Sequence, residues 1–226
     1  GRTSSVTDAK GGKTTYTYDS VGNTTAVKDA LNQTTRYTYD ANGNMTSRTD
    51  RNGDTWTYTY DANNRLTKET DPLDGETVYT YDELGQVTKV TTPGGSESSA
   101  QYDSMGRTTS AVDALGHATA YEYDSLGRRT KVTYADGTFV TYTYNANGQV
   151  LTATDQLGGV TAYAYDNAGR LISTTDPKGN VTTQTYDAVG NVAKVTDALG
   201  NETAYTYNAN NQIAAVTDAE GGVTSY

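Results

Sequence analysis

The 226-residue chain has no cysteine, which rules out a disulfide framework and any thiolate metal site. It has one histidine, His117, so imidazole chemistry is open to it at one place only. Proline occurs three times, and phenylalanine and tryptophan once each, as Phe139 and Trp56. No apolar run approaches the length of a membrane-spanning helix, and no secretory leader pattern stands at the start. Positive charge is scarce: 17 Lys and Arg against 27 Asp and Glu give a net charge of −10, which argues against nucleic acid as a partner. Only 34% of residues are hydrophobic, and Leu, Ile and Phe are too few for one large central core. Glycine patterns that cradle phosphates or dinucleotides are also missing.

What the chain has instead is tyrosine on a fixed beat. The motif Tyr-x-Tyr-Asp-x-x-Gly, in full at Tyr37-Thr38-Tyr39-Asp40-Ala41-Asn42-Gly43, puts its second tyrosine at Tyr18, Tyr39, Tyr60, Tyr81, Tyr102, Tyr123, Tyr144, Tyr165, Tyr186 and Tyr207. The step is 21 residues throughout, the signature of a repeat architecture held by contacts between neighbouring units. Nineteen of the 20 tyrosines lie at this position or two residues before it; Tyr134 is the exception. A spacing of two puts both rings on one face of a strand, so Thr-x-Tyr-x-Tyr reads as a strand of about six residues.

Asp or Asn follows the second tyrosine in every unit, and Gly or Asn stands three residues later, as at Asp40 and Gly43 or Asp166 and Gly169. Asp starts a turn by bonding its own backbone. Gly, and less readily Asn, tolerates the left-handed conformation that a type I hairpin turn needs at that place. A second strand follows, typified by Arg65-Leu66-Thr67-Lys68-Glu69-Thr70. It usually carries an aliphatic residue six after the reference tyrosine (Met45, Leu66, Val87, Val150, Leu171, Val192, Ile213) and often Val nine after (Val27, Val90, Val132, Val195, Val216). In a regular strand that odd offset puts the two on opposite faces, which leaves the buried face of this strand unassigned. A second Asp turn closes the unit, and all three prolines, Pro72, Pro93 and Pro177, sit just after its first residue.

Strand, turn, strand, turn in 21 residues leaves no room for a crossover helix, so consecutive strands must run antiparallel. The expected fold is all-β: residues 1–226 form a single continuous array of about ten hairpin units, one long meander that curls. Each position-six aliphatic should stand roughly opposite a tyrosine on either side, giving a Tyr, aliphatic, Tyr stripe. Gly1-Arg2 and Tyr226 both fall inside a motif, so the chain is expected to be a segment of a longer one, continued by further repeats of the same or a neighbouring chain.

The run Tyr163-Ala164-Tyr165-Asp166-Asn167-Ala168-Gly169-Arg170-Leu171, followed by Asp176-Pro177-Lys178-Gly179-Asn180, resembles the YD repeats of RHS proteins, and the resemblance covers the whole chain. That family includes bacterial polymorphic toxins, toxin-complex components, wall-associated proteins and teneurins. The resemblance implies a strip of β-hairpins spiralling into a hollow shell, which in the toxins encloses an effector, and a secreted or cell-surface location, bacterial in the first instance. The core segment and self-cleaving region typical of the toxins are not recognisable here. Asp71-Pro72 and Asp176-Pro177 look like fragments of a cleavage signature but also fit the ordinary turn.

The residues themselves point away from catalysis. Hydrolysis needs a nucleophile, a base and an orienting group, and only one unit offers a histidine. His117 occupies a turn position held elsewhere by Gln33, Asn180 or Asn201, so it reads as a polar turn residue. No metal or cofactor is expected. Structural calcium on the rows of turn aspartates is the minor reading, beside the major one in which each Asp caps its own turn. Trp56, Tyr58 and Tyr60 form the richest aromatic cluster and a candidate platform for stacking surface glycans, against a packing role as the leading reading. The function expected is architectural: the wall of a shell around a toxic effector first, an extracellular filament or adhesin second.

Overall fold

The computed structural model describes residues 2–226; Gly1, half of the motif fragment at the start, lies outside the described residues. Among these residues the protein is all-β, with 22 strands, and strands consecutive in the chain pair antiparallel. Contacts divide the chain into two compact units, one running to Ala118 and the other from Thr119. In the first, tyrosine strands such as Thr34–Tyr39, Thr55–Tyr60 and Glu76–Tyr81 alternate with the shorter strands Met45–Thr49, Leu66–Thr70 and Val87–Thr91. The second repeats the plan, for example with Phe139–Tyr144, Val150–Thr154, Val160–Tyr165 and Leu171–Thr175.

Both kinds of turn close as the sequence predicts. Asp40 N–H donates to the Asn44 carbonyl at 2.9 Å and Gly43 N–H to the Asp40 carbonyl at 3.1 Å. Gly43 has φ +87°, and the two asparagines that replace glycine, Asn64 and Asn211, adopt +61° and +58°. An L-residue with a larger side chain is strained there, and Asn is the usual exception.

The two hairpins of each unit differ in register. Across the second turn the ladder is regular: Lys68, Glu69 and Thr70 face Val78, Thr77 and Glu76. Across the first turn it always slips by one. Thr38 faces Ser47 but Tyr39 faces Met45, so Thr46 is an extra residue in a one-residue β-bulge. The same slip occurs in all ten first-turn hairpins.

This bulge overturns the expectation that the aliphatics six and nine after the tyrosine face opposite ways. With one residue looped out, both stand on the tyrosine side. Val87 faces Tyr81 and Val90 faces Tyr79; Ile213 faces Tyr207 and Val216 faces Tyr205. The position-six residue therefore has a tyrosine as ladder partner on one side only. Among the described residues Val132, paired with Tyr121 and with Val140, is the one buried hydrophobic residue, at 6% exposed. With so little closed core, stability accumulates from cross-strand pairs worth about 0.2–1 kcal/mol each and adds up along the array.

The tyrosines are more than an apolar stripe. In nine of the motifs the second ring reaches back over the preceding strand pair and its hydroxyl donates to a carbonyl 15 residues earlier. Tyr39 Oη bonds the Thr24 carbonyl at 2.9 Å, Tyr60 the Met45 carbonyl at 2.9 Å and Tyr81 the Leu66 carbonyl at 2.6 Å. Tyr18, Tyr102, Tyr144, Tyr165, Tyr186 and Tyr207 repeat it. The accepting carbonyl belongs to the residue beside the bulge, beyond the regular second-turn ladder, where Ser47 to Thr49 pair with Thr57 to Thr55. The hydroxyl thus satisfies a backbone group that the ladder leaves over.

Candidate functional site

Two rims of Asp turns and one tyrosine face are what the chain offers for chemistry. On the first-turn rim each Asp works as a hub. Asp61 Oδ1 accepts from the backbone N–H groups of Asn63 and Arg65 at 2.9 and 3.0 Å, and its Oδ2 takes Arg65 Nε at 2.6 Å. Arg65 then bridges to the next unit: its Nη1 donates to the Asp82 carbonyl at 2.9 Å, and its guanidinium lies 4.8 Å from the Tyr81 ring centroid. Arg128 repeats this with Asp124, Asn145 and Tyr144. In several units where the position is not Arg, a shorter amide makes the link. Gln86 reaches the Gly106 carbonyl, Gln149 the Gly169 carbonyl and Asn44 the Asn64 side chain. Sequence reasoning missed this bridge, although the signal was there: the residue after the turn glycine is always Arg, Gln or Asn.

These bonds hold the carboxyls of Asp40, Asp61, Asp103, Asp124 and Asp166 below the ordinary carboxylate range. For Asp61, Asp103, Asp124 and Asp166 the largest cause is the backbone N–H of the arginine four residues on, with desolvation opposing and the arginine side chain adding. For Asp40 it is the Asn44 side-chain amide. A folded-state pKa below the unfolded value gives stability that is present above the unfolded pKa, about 3.9, and is lost as pH falls through the folded one. Melting temperature should therefore stay level from pH 7 to pH 5 and drop below pH 4. Equal melting temperatures at pH 7 and pH 2.5 would refute this. Changing Asp61, Asp103 and Asp166 together to Asn, which two units already carry as Asn145 and Asn208, should flatten the drop.

The second-turn rim uses the same device. Asp71 Oδ1 accepts from Leu73 and Gly75 N–H, both at 2.8 Å, and Asp176 Oδ1 from Lys178 and Asn180 N–H, so the two Asp-Pro pairs lie in ordinary turns. His117 Nδ1 is 3.0 Å from Asp113 Oδ2, and both side chains are more than half exposed. Asn180 and Asn201 place their amides on Asp176 and Asp197 in the same way, at 2.8 Å. The imidazole thus fills a structural amide's place. His117→Asn should leave stability within about 0.5 kcal/mol of the parent in a urea melt; a larger loss would assign His117 a role of its own. Among the described residues no three His, Asp or Glu side chains converge as a metal site would need.

Trp56, Tyr58 and Tyr60 do share one face, as predicted. The strand that crosses them puts Arg48 opposite Trp56, with the guanidinium 4.7 Å from the ring centroid. Tyr58 faces Glu69, and Tyr60 is tied to Met45. Desolvation, above all, pushes the phenols of Tyr58 and Tyr60 up. The cluster is built into the ladder, and a sugar stacking on Trp56 from the Arg48 side would first have to displace the guanidinium.

Comparison with known proteins gives a family and a fold. The family model for the RHS repeat matches six stretches, at residues 18–55, 39–74, 60–97, 102–138, 144–184 and 186–223. No curated protein matches. Among solved structures, the crystal structure of TcdB2-TccC3-TEV superposes with a TM-score of 0.63 at 17% identity, over 96% of this chain and 15% of the other. The crystal structure of TcdB2-TccC3 without its hypervariable C-terminal region gives a TM-score of 0.50 at 17% identity, over 97% of this chain and 16% of the other. The likeness is one of fold, and this chain spans under a fifth of the length of either.

Proposed function

Because this chain belongs to the RHS repeat family, we propose that it is a stretch of wall in a secreted bacterial shell that encloses a toxic effector, and that it takes no catalytic part itself. The observation that carries this reading is the uniformity of the joints. The same bulge, the same Asp turn and the same tyrosine bond recur from unit to unit, so that no unit is set apart as an active centre. Uniform joints suit a wall, in which each unit must meet its neighbours in the same way. A bulge adds local right-handed twist to its strand pair, and repeating it once per unit favours a steady curl over a flat ribbon. The resemblance of the Tyr-x-Tyr-Asp-x-x-Gly motif to those of polymorphic toxins and toxin-complex components supplies the cargo class.

The deciding experiment is electron cryomicroscopy of the complete natural polypeptide that contains these repeats. A closed wall with separate density inside is the expected result. Extended filaments, or a wall open to solvent with no enclosed chain, would replace this reading with that of a surface fibre.

A further inference from the structure

We propose that the second-turn rim of the first compact unit is a self-complementary surface on which a second copy of this array docks, rim against rim. The basis is a period twice that of the repeat. Two residues after the turn-opening position, leucine stands at Leu31, Leu73, Leu115, Leu157 and Leu199, every 42 residues. Each intervening turn carries Lys10, Asn52, Gly94, Asp136, Lys178 or Glu220 at the same place, so leucine and non-leucine alternate strictly. The turn does not need leucine there, since Lys, Asn and Gly close it with the same hydrogen bonds. The leucines are not buried by their own chain: Leu31, Leu73 and Leu115 are 76, 90 and 80% exposed. The opposite rim has apolar tips too, including Val21, Leu84, Met105 and Leu126, but without alternation, so the doubled period belongs to this rim.

Scattered exposed leucines are ordinary; a row at one interval along one edge is a patterned surface. Two units span four strands, so the tips of the first unit stand about 19 Å apart. Hollows lie between a leucine turn and its non-leucine neighbour. One of about 330 Å³ separates the turns of Leu31 and Asn52, with Val27 and Gln33 in its lining beside the charged Asp29, Arg48, Asp50 and Arg51. Another of about 360 Å³ separates those of Asn52 and Leu73, lined by Thr57, Thr70 and Pro72 together with Asp54, Asp71 and Asp74. A third of about 610 Å³ lies between the turns of Gly94 and Leu115, with Val112 and Ala114 in its wall beside Lys89, Glu97 and Asp113. The rim thus offers knobs and hollows in one series. Only a partner with the same interval can seat every knob alike, and a second copy has that interval. A two-fold arrangement sets the leucine turns of one copy against the Asn52 and Gly94 turns of the other, an isologous contact that closes on itself.

The contact is small, so a dissociation constant on the order of 10–100 µM is expected. Two chains of net charge −10 repel each other, and salt that screens the repulsion should tighten the dimer.

Sedimentation velocity on the 226-residue chain, from about 1 to 300 µM in low and high salt, tests it at the concentrations set by that affinity. A concentration-dependent dimer strengthened by salt is expected. Leu31→Asn, Leu73→Asn and Leu115→Asn together should weaken it at least tenfold while circular dichroism and melting stay unchanged. Asn52→Leu separates docking in register from general stickiness: it sets a bulky tip against a leucine of the other copy and should weaken the dimer. A monomer at every concentration, a dimer indifferent to the triple change, or a dimer strengthened by Asn52→Leu would each overturn the proposal. A dimer that pairs exposed strand edges would show the second of these.

Discussion

Tyr81→Ala should cost the first unit about 3 kcal/mol, and Tyr81→Phe about 1 kcal/mol. Alanine removes a half-buried ring that faces Val87 and lies under the Arg65 guanidinium at 4.8 Å, as well as the hydroxyl bond to the Leu66 carbonyl. Phenylalanine keeps the ring and removes only the hydroxyl, leaving a backbone carbonyl short of its donor. Tyr79, two residues earlier, makes no comparable bond to a preceding carbonyl and serves as the control: Tyr79→Phe should be near neutral. The chain itself points the same way, since the earlier position accepts Ala100 and Gln184 while the later one is tyrosine in every unit. Urea melts combined with amide exchange of Thr77 to Thr91 would measure this. Equal losses for the two phenylalanine variants would remove the hydroxyl from the account.

Deleting single residues from the two strands of one unit should give unequal results. Removing Thr80 makes Tyr79 and Tyr81 adjacent, which sends one ring to the opposite face. Loss of that ring's packing together with its neighbours' register should cost about 4 kcal/mol or more, enough to uncouple the strand. Removing Thr67, the bulged residue beside Leu66, instead leaves Leu66 and Glu69 two apart and still on the tyrosine face. It should cost about 1 kcal/mol, chiefly through the disturbed bond between Tyr81 and the Leu66 carbonyl. Melts of the two deletions at matched concentration decide the matter, and equal destabilisation would mean that the slip has no such role.

These expectations also mark the limits of the sequence. Strands, turns and antiparallel order were legible because their chemistry is local: Asp40 bonds its own turn, Gly43 takes a left-handed φ, and Tyr37 and Tyr39 alternate with Thr38. The faces of Met45 and Arg48 were not legible, because the bulge at Thr46 is a property of the pair of strands and has no residue signature of its own; Thr46, Thr67 and Thr88 look like any strand threonine. Nor was the tyrosine hydroxyl's partner, which lies 15 residues back and is a carbonyl, the same in every residue type. The arginine bridge lay between. Arg65, Gln86 and Asn44 share an amide or guanidinium N–H and a length sufficient to reach the next turn, but only the structure shows the turns stacked within that reach. The Trp56 cluster was visible as a group, while its cover, Arg48, became apparent only through the register.

The two links between units also act as gauges of length. The hydroxyl of Tyr81 measures back 15 residues to Leu66, and the Arg65 guanidinium measures forward 17 to Asp82. A unit one residue too long or too short would miss both targets at its joint, while a whole extra unit would find both waiting. The array can therefore gain or lose copies of 21 residues with every joint intact, but cannot drift in size by single residues without a penalty at each altered joint. Its extent is in effect a count, open to change by duplication or excision of whole repeats and buffered against smaller edits.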